Sequence, residues 1–225
     1  MGGPVSIYYQ DDYVTLYLGD CIQVDAWLQA DVLVCDPPYG MRFQSGQRKA
    51  TERFAKIAND DSTISRDVAL ELWGDRPAAV FGTWRVPRPK NTQQVLVWDK
   101  AAVGPGMGDL SDAFGTSHED IYLLGKWPRQ TRIKRRGSVI TTEHHPSSYT
   151  NKIGHPTPKP VGLMETLIEA APPGVIADPF AGSGSTLLAA RNLGRKAIGV
   201  EIEERYCETI ARRLDQQCLN FEVGA

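Results

Sequence analysis

The chain has 225 residues, 41% hydrophobic and 23% charged, which suits one large α/β core and is short for two full domains. A net charge of −2 argues against a uniformly basic nucleic-acid binder, so any such surface must be local. No window approaches a membrane span, and the first residues show no apolar signal region. The cysteines at 21, 35, 207 and 218 lack metal or redox spacing, as expected of buried thiols in a reducing cytoplasm.

Residues 5–9 and 13–18 are apolar and aromatic around Gln10-Asp11-Asp12 and predict a hairpin. Leu18-Gly19-Asp20-Cys21 reads as a turn, Cys21 to Ala30 as a short helix, and Asp31-Val32-Leu33-Val34-Cys35 as a buried strand. Strand, helix, strand is the βαβ signature of a doubly wound sheet. Residues 41–60 are basic, with Arg42, Arg48, Lys49, Arg53 and Lys56 against Glu52 and Asp60. A helix over 62–74 is followed by strands at 78–81 and 95–98, a long loop at 101–117, and a strand at 119–124. Residues 126–136 hold six basic side chains in eleven positions and no acid. A short strand at 138–142 and an irregular stretch to 160 lead to a helix that ends before Pro172-Pro173-Gly174. The last third predicts strand 175–178, helix 185–193 closed by Gly194, strand 196–201 and an amphipathic helix over 203–217.

Two strand ends carry chemistry. The strand at 31–35 runs into Asp36-Pro37-Pro38-Tyr39-Gly40. Two prolines cannot donate to a ladder, so the strand stops there and presents a carboxylate, prolyl carbonyls and an aromatic ring. That set suits a planar group bearing an exocyclic amine. The strand at 175–178 runs into Pro179-Phe180-Ala181-Gly182-Ser183-Gly184-Ser185-Thr186. Gly182 and Gly184 let a ligand approach the backbone, and the next strand ends in Glu201, nineteen residues on, placed for ribose hydroxyls. The turn lacks the Gly-Lys-Ser/Thr ending of a P-loop and the third glycine of a dinucleotide fingerprint. The implied ligand is a nucleoside with a small charged tail, and S-adenosylmethionine fits. Gly182-Ser183-Gly184 does not match a hydrolase nucleophile elbow, and His118, His144, His145 and His155 lack metal-ligand spacing, so no metal is expected.

The ordered set of motifs resembles the DNA amino-methyltransferases, over nearly the whole chain. Asp36 to Gly40 precedes Asp178 to Thr186 by about 140 residues, and His155-Pro156-Thr157-Pro158-Lys159-Pro160 resembles the family's segment ahead of the cofactor motif. Pro158 stands where a polar residue is more usual. Leu18 to Cys21, Trp98-Asp99-Lys100, His118-Glu119 and Gly199-Val200-Glu201 also resemble family segments. The resemblance implies an α/β, doubly wound, mainly parallel seven-stranded sheet of the Rossmann-like methyltransferase type, with one antiparallel strand and a circularly permuted motif order. It implies a single catalytic domain over 1–225, in which 41–60 is a basic loop and 125–154 a short recognition segment. Asp36, Pro37, Pro38 and Tyr39 are then catalytic. Asp20, Cys21, Asp36, Asp178, Phe180, Gly182, Ser183, Gly184, Ser185, Thr186 and Glu201 hold S-adenosylmethionine, with Thr157 and Lys159 near its methionine tail. Arg42, Arg48, Lys49, Arg53, Lys126, Arg129, Arg132, Lys134, Arg135 and Arg136 are the expected contacts to double-stranded DNA. The implied activity is N6 methylation of an adenine turned out of the duplex by a prokaryotic or phage enzyme. N4 methylation of cytosine is the rival, and a silent DNA-binding module or a nicotinamide dehydrogenase fits less well. Relatives often dimerise, which leaves a homodimer open.

Overall fold

Val32, Leu33, Val34 and Cys35 are each at most 1% exposed, so their strand is covered on both faces and lies mid-sheet, as a continuous apolar run requires. It is β3 (Val32–Cys35) in a computed structural model that describes residues 6–41, 62–100, 113–127, 136–142 and 153–222. The other strands are β1 (Ser6–Gln10), β2 (Val14–Leu18), β4 (Ala78–Gly82), β5 (Thr92–Asp99), β6 (His118–Leu124), β7 (Val139–Thr141), β8 (Ile176–Asp178) and β9 (Ala197–Glu201). They form one nine-stranded sheet in the order β1-β2-β9-β8-β3-β4-β6-β5-β7. β1 and β6 run against their neighbours, and every other pairing is parallel. The mixed α/β sheet is as expected, but its nine described strands with two reversed differ from seven with one. The short edge strands β1 and β7, each paired on one side only, account for the difference.

Alternation along the strands divides the core between the two faces. Val32, Val34, Ala79, Phe81 and Ile121 face the side covered by α2 (Val161–Ala170), α3 (Ser185–Asn192) and α4 (Glu204–Glu222). Leu33, Cys35, Ala78, Val80 and Tyr122 face the other side, with Trp27 and with Ala69 and Trp73 of α1 (Ile64–Trp73). Trp27 and Trp73 stack there with centroids 5.8 Å apart. The helix expected over Cys21 to Ala30 is instead a turn followed by a single 3-10 turn, Ala26–Gln29. Asp20 closes the chain early. Its carbonyl accepts the amides of Gln23 and Val24, its carboxylate that of Ile22, and the buried Trp27 indole donates to the Cys21 carbonyl at 2.9 Å.

Charged side chains tie the ends of the strands opposite the motifs. Arg76 donates to the carbonyls of Leu28 (2.7 Å), Ala30 (2.9 Å) and Trp73 (3.0 Å), with its guanidinium 3.6 Å from the Trp73 ring centroid. Arg195 donates to the carbonyls of Ile168, Pro172 and Gly174, and Asp31 accepts the Val175 amide at 2.7 Å. An ammonium lacks the planar fork that serves three carbonyls at once. Arg76→Lys should therefore lower unfolding stability by about 2 kcal/mol in urea titrations, at unchanged m-value.

Candidate active site

Parallel pairing brings distant residues to one edge of the sheet. Leu18 pairs with Glu201, Asp178 with Gly199, and Cys35 with Val80, so Asp20, Glu201, Phe180 and Asp36 all follow strands that finish together. β6 runs the other way and contributes its first residues to that edge: Glu119 lies opposite Trp98, and the Lys100 amide donates to the Ser117 carbonyl at 3.0 Å. A cleft of about 370 Å³, of the size of a small-molecule site, opens here between the Asp36 motif and the Gly182 turn.

Asp36 is the centre of a charged cluster. Its Oδ1 accepts the Tyr39 hydroxyl at 2.7 Å and its Oδ2 the Lys159 ammonium at 2.5 Å. Glu119 Oε2 lies 3.2 Å from both the Tyr39 hydroxyl and Lys159 Nζ, while its Oε1 holds Lys100 Nζ at 2.6 Å. Lys159 is buried, 5.1 Å from the Phe81 ring centroid and 5.7 Å from that of Tyr39. Burial pushes the Asp36 carboxyl up, and Lys159 offsets this only in part. Burial acts to raise Glu119 as well, but the Lys159 and Lys100 ammoniums outweigh it and hold it at about 2. Lys159 stays protonated because the two carboxylates overcome its desolvation. Two acids in one pocket are thus driven apart by environment.

Across the cleft, Gly182 and Gly184 have φ of +50° and +79°. A Cβ on Gly184 would lie 2.8 Å from the Ile210 side chain, and one on Gly182 would lie 3.1 Å from His155 Nε2, so side chains are excluded from the turn. Glu201 accepts the Gly182 amide on one oxygen and the Glu203 amide on the other, each at 2.8 Å, which fixes its carboxylate with lone pairs to spare. Burial raises Glu201 to about 7 and Asp178 to about 7, opposed in Glu201 by the Glu203 and Gly182 amides and in Asp178 by the Thr186 side chain and the Phe180 amide. The Tyr206 hydroxyl lines this side and is buried without a hydrogen-bond partner among the described residues. Its ring lies 4.7 Å from that of His155, which burial lowers to about 3.

Asp20, Cys21, Asp36 to Tyr39, Thr157, Lys159, Asp178, Phe180, Gly182, Ser183, Ser185, Thr186 and Glu201 all line the cleft, and Gly184 shapes the turn behind it. Lys159, expected beside the methionine tail, is bonded to Asp36 and Glu119. Arg42, Arg48, Lys49, Arg53, Arg129, Arg132, Lys134 and Arg135 lie outside the described residues. Lys126 follows β6 on Gly125, whereas Arg136 is bonded to Thr166 and Glu169 of α2. Sequence reading gave no site role to Lys100, Glu119, His155 or Tyr206. The motif-like Trp98-Asp99-Lys100 and His118-Glu119 were the available signal, but only the reversal of β6 brings the second pair to this edge. Among the described residues no group of three His, Cys, Asp or Glu could hold a metal ion.

A fixed acid beside a side-chain-free glycine turn thus faces a buried carboxylate at a strand tip, across one cleft of an α/β sheet. Comparison with known proteins is consistent with this. A family model described as "DNA methylase" matches residues 30–212. The putative methylase YubD of Escherichia coli K12 is 30% identical over 227 aligned residues, which cover 92% of each chain. Among solved folds, the M1.HpyAVI–SAM complex superposes with a TM-score of 0.62 at 21% identity, over 89% of this chain and 99% of that one. The cytosine-N4-specific PvuII DNA methyltransferase also gives 0.62, at 17% identity over 91% and 87%. The chain belongs to the DNA methylase family, S-adenosylmethionine-dependent enzymes that methylate an exocyclic amine, N6 of adenine or N4 of cytosine.

The raised pKa of Glu201 has a stability consequence. The folded protein retains a proton that the unfolded chain releases, so this contribution is full below the ordinary value of 4.5 and is lost as pH rises through about 7. His155, held neutral, acts in the opposite sense between its ordinary 6.5 and about 3, so the comparison must be differential. Glu201→Gln mimics the protonated acid. In urea unfolding of the cofactor-free protein, its stability relative to wild type should rise as pH is taken from about 5 to about 8.

Proposed function

We propose that this member of the family methylates N6 of an adenine turned out of duplex DNA, with its motifs in circularly permuted order. The observation that carries the reading is the placement of Asp36 and Tyr39 at a strand tip, across one cleft from the Gly182 turn and Glu201. The residues present fit S-adenosylmethionine. Glu201, held by two amides, would accept ribose hydroxyls, Asp20 and Phe180 would hold the adenine end, and the side-chain-free Gly182 and Gly184 leave room beside Ser183, Ser185 and Thr186. The Tyr206 hydroxyl is a donor awaiting an acceptor. When bound, the cofactor would supply a methyl on a sulfonium, whose sulfur would keep the C–S electron pair as a neutral thioether.

Asp36 and the Pro37 carbonyl accept the two N–H groups of the target amine and turn its lone pair toward the methyl. Pro38 keeps the tip rigid, and Tyr39 stacks on the base. The nitrogen gains positive charge as it bonds to carbon, and the Asp36 carboxylate stabilises that charge more than it does the ground state. The methylated nitrogen then sheds one proton, which Asp36 is placed to receive. Asp rather than Ser in the first motif position favours adenine over cytosine. Bringing the base out of the stack costs a few kcal/mol, offset by contacts in the pocket.

Exposed aromatics support a nucleic-acid substrate. Trp84 and Phe114, 66% and 91% exposed, follow β4 and precede β6 at the same edge of the sheet. Arg85, a cleft residue, places its guanidinium 5.0 Å from the Trp84 ring centroid. Exposed Arg88 follows, with no acid between 84 and 88, whereas Lys90 stands just before β5 begins at the opposite edge, where Thr92 pairs with Leu124. This face would stack on bases and pair with phosphates beside the target.

Incubation with methyl-labelled cofactor and duplex DNA, followed by nucleoside digestion, should recover label in N6-methyladenine. Label in N4-methylcytosine alone would assign cytosine instead, and no label in DNA would remove the substrate reading for this chain. Asp36→Ala should cut transfer by about 100- to 1000-fold with cofactor affinity retained. Trp84→Ala should raise KM for DNA about 10-fold without changing cofactor binding by calorimetry. Cofactor affinity of the wild type should increase with pH through about 7, as Glu201 ionises.

A further inference from the structure

Asp36 has both oxygens engaged before any base arrives: the Tyr39 hydroxyl on Oδ1 at 2.7 Å and Lys159 on Oδ2 at 2.5 Å. Each oxygen keeps a further lone pair, but an amine that bonds to Asp36 adds a third donor, which competes with both and loosens the bonds already made. Neither donor can be left bare, because a buried charge or hydroxyl without a partner is strongly unfavourable. Glu119 is the acceptor within reach of both, with Oε2 3.2 Å from each. It is held in place by Lys100 at 2.6 Å on its other oxygen and by the pairing of β5 with β6. The Phe81, Tyr39 and Trp98 rings lie 5.1, 5.7 and 6.0 Å from Lys159 Nζ and confine the ammonium between the two acids.

We propose that Glu119 is a positioning residue, the second carboxylate that takes over the hydrogen bonds of Lys159 and Tyr39 when Asp36 engages the target amine. The inference rests on reading Asp36 as the acceptor of that amine. The exchange moves hydrogen bonds only, so no covalent bond or proton has to be accounted for. The environment favours it: Glu119 is kept anionic at about 2, while the Asp36 carboxyl is raised. The cation is thus retained by the site without neutralising the carboxylate that faces the substrate. Lys100 balances the charge of Glu119 when Lys159 is drawn toward Asp36.

Glu119→Gln keeps the shape and removes the competing charge, leaving Lys159 wholly on Asp36. Steady-state kinetics should show kcat reduced by the order of 100-fold, the scale of losing one preorganised electrostatic contact, with cofactor affinity unchanged by calorimetry. The acid limb of the kcat–pH profile should move to lower pH, because loss of the Glu119 charge lowers the Asp36 carboxyl. A purely structural role would not move that limb. Lys159→Met should reduce kcat in the wild-type background but raise it in the Glu119→Gln background, a reversal of sign that no packing defect produces. If Glu119→Gln fails to bind cofactor, the same cycle is run with Glu119→Asp, which keeps the charge but draws the carboxylate back from both donors. Unimpaired kcat in the Glu119 variant, or the same sign for Lys159→Met in both backgrounds, overturns the role of Glu119. If the wild type labels no DNA, or Asp36→Ala stays active, the premise about Asp36 fails instead and the proposal falls with it.

Discussion

Parallel strand register is the constraint on which the site depends. Leu18, Glu201, Asp178 and Cys35 reach one edge because β2, β9, β8 and β3 are paired side by side in the same direction. Each strand ends in, or within two residues of, a residue that lines the cleft, although Asp20 and Glu201 are 181 positions apart. The register is specified by burial on both faces. A slip of one residue along β3 would send Val32 and Val34 to the face of Leu33 and Cys35, against the wrong helices. Opposite the site, the Arg76 and Arg195 forks tie carbonyls that would otherwise end the elements unpaired.

The same edge separates two kinds of carboxylate. Glu201 and Asp178 are raised by burial and are held mainly by neutral amides and hydroxyls. Glu119 has two ammoniums and is strongly acidic. Asp36 is raised by burial yet bonded to a cation and a phenol. Environments that push like groups apart are how one pocket assigns different tasks to the same functional group. A uniform set of buried acids would be either mutually repelling or protonated together. Lys159, shared by Asp36 and Glu119, lets two negative charges coexist within reach of one ligand.

In the proposed reading, DNA contacts are distributed differently from the chemistry. The chain has little room for a separate recognition domain: residues 125–154 span only 30 positions. Of the basic residues expected to contact phosphate, Arg136 is bonded to α2, and most of the others lie outside the described residues. The exposed Trp84 and Arg85 follow β4 beside the cleft, so in the proposed reading DNA contacts and catalysis share the same strand ends. Rigid strands position such groups more closely than a long insertion does.

Much of this molecule is written in local sequence. Apolar run length, prolines after Asp36, the glycines at 182 and 184, and Glu201 at a strand end gave the strands, the two ligand-facing turns and the family resemblance. These signals are local because each depends on what one segment can or cannot hydrogen-bond or bury. The short helix expected over 21–30 failed because the Asp20 turn and Trp27 insertion override a weak helical pattern. What tertiary structure alone decided is which charges meet. Lys100, Glu119 and Lys159 join Asp36 and Tyr39 only because β6 is reversed between β4 and β5 and the segment before α2 crosses the strand ends. Pairing across 123 residues leaves no local periodicity, because ion pairs follow distance in space and no spacing along the chain.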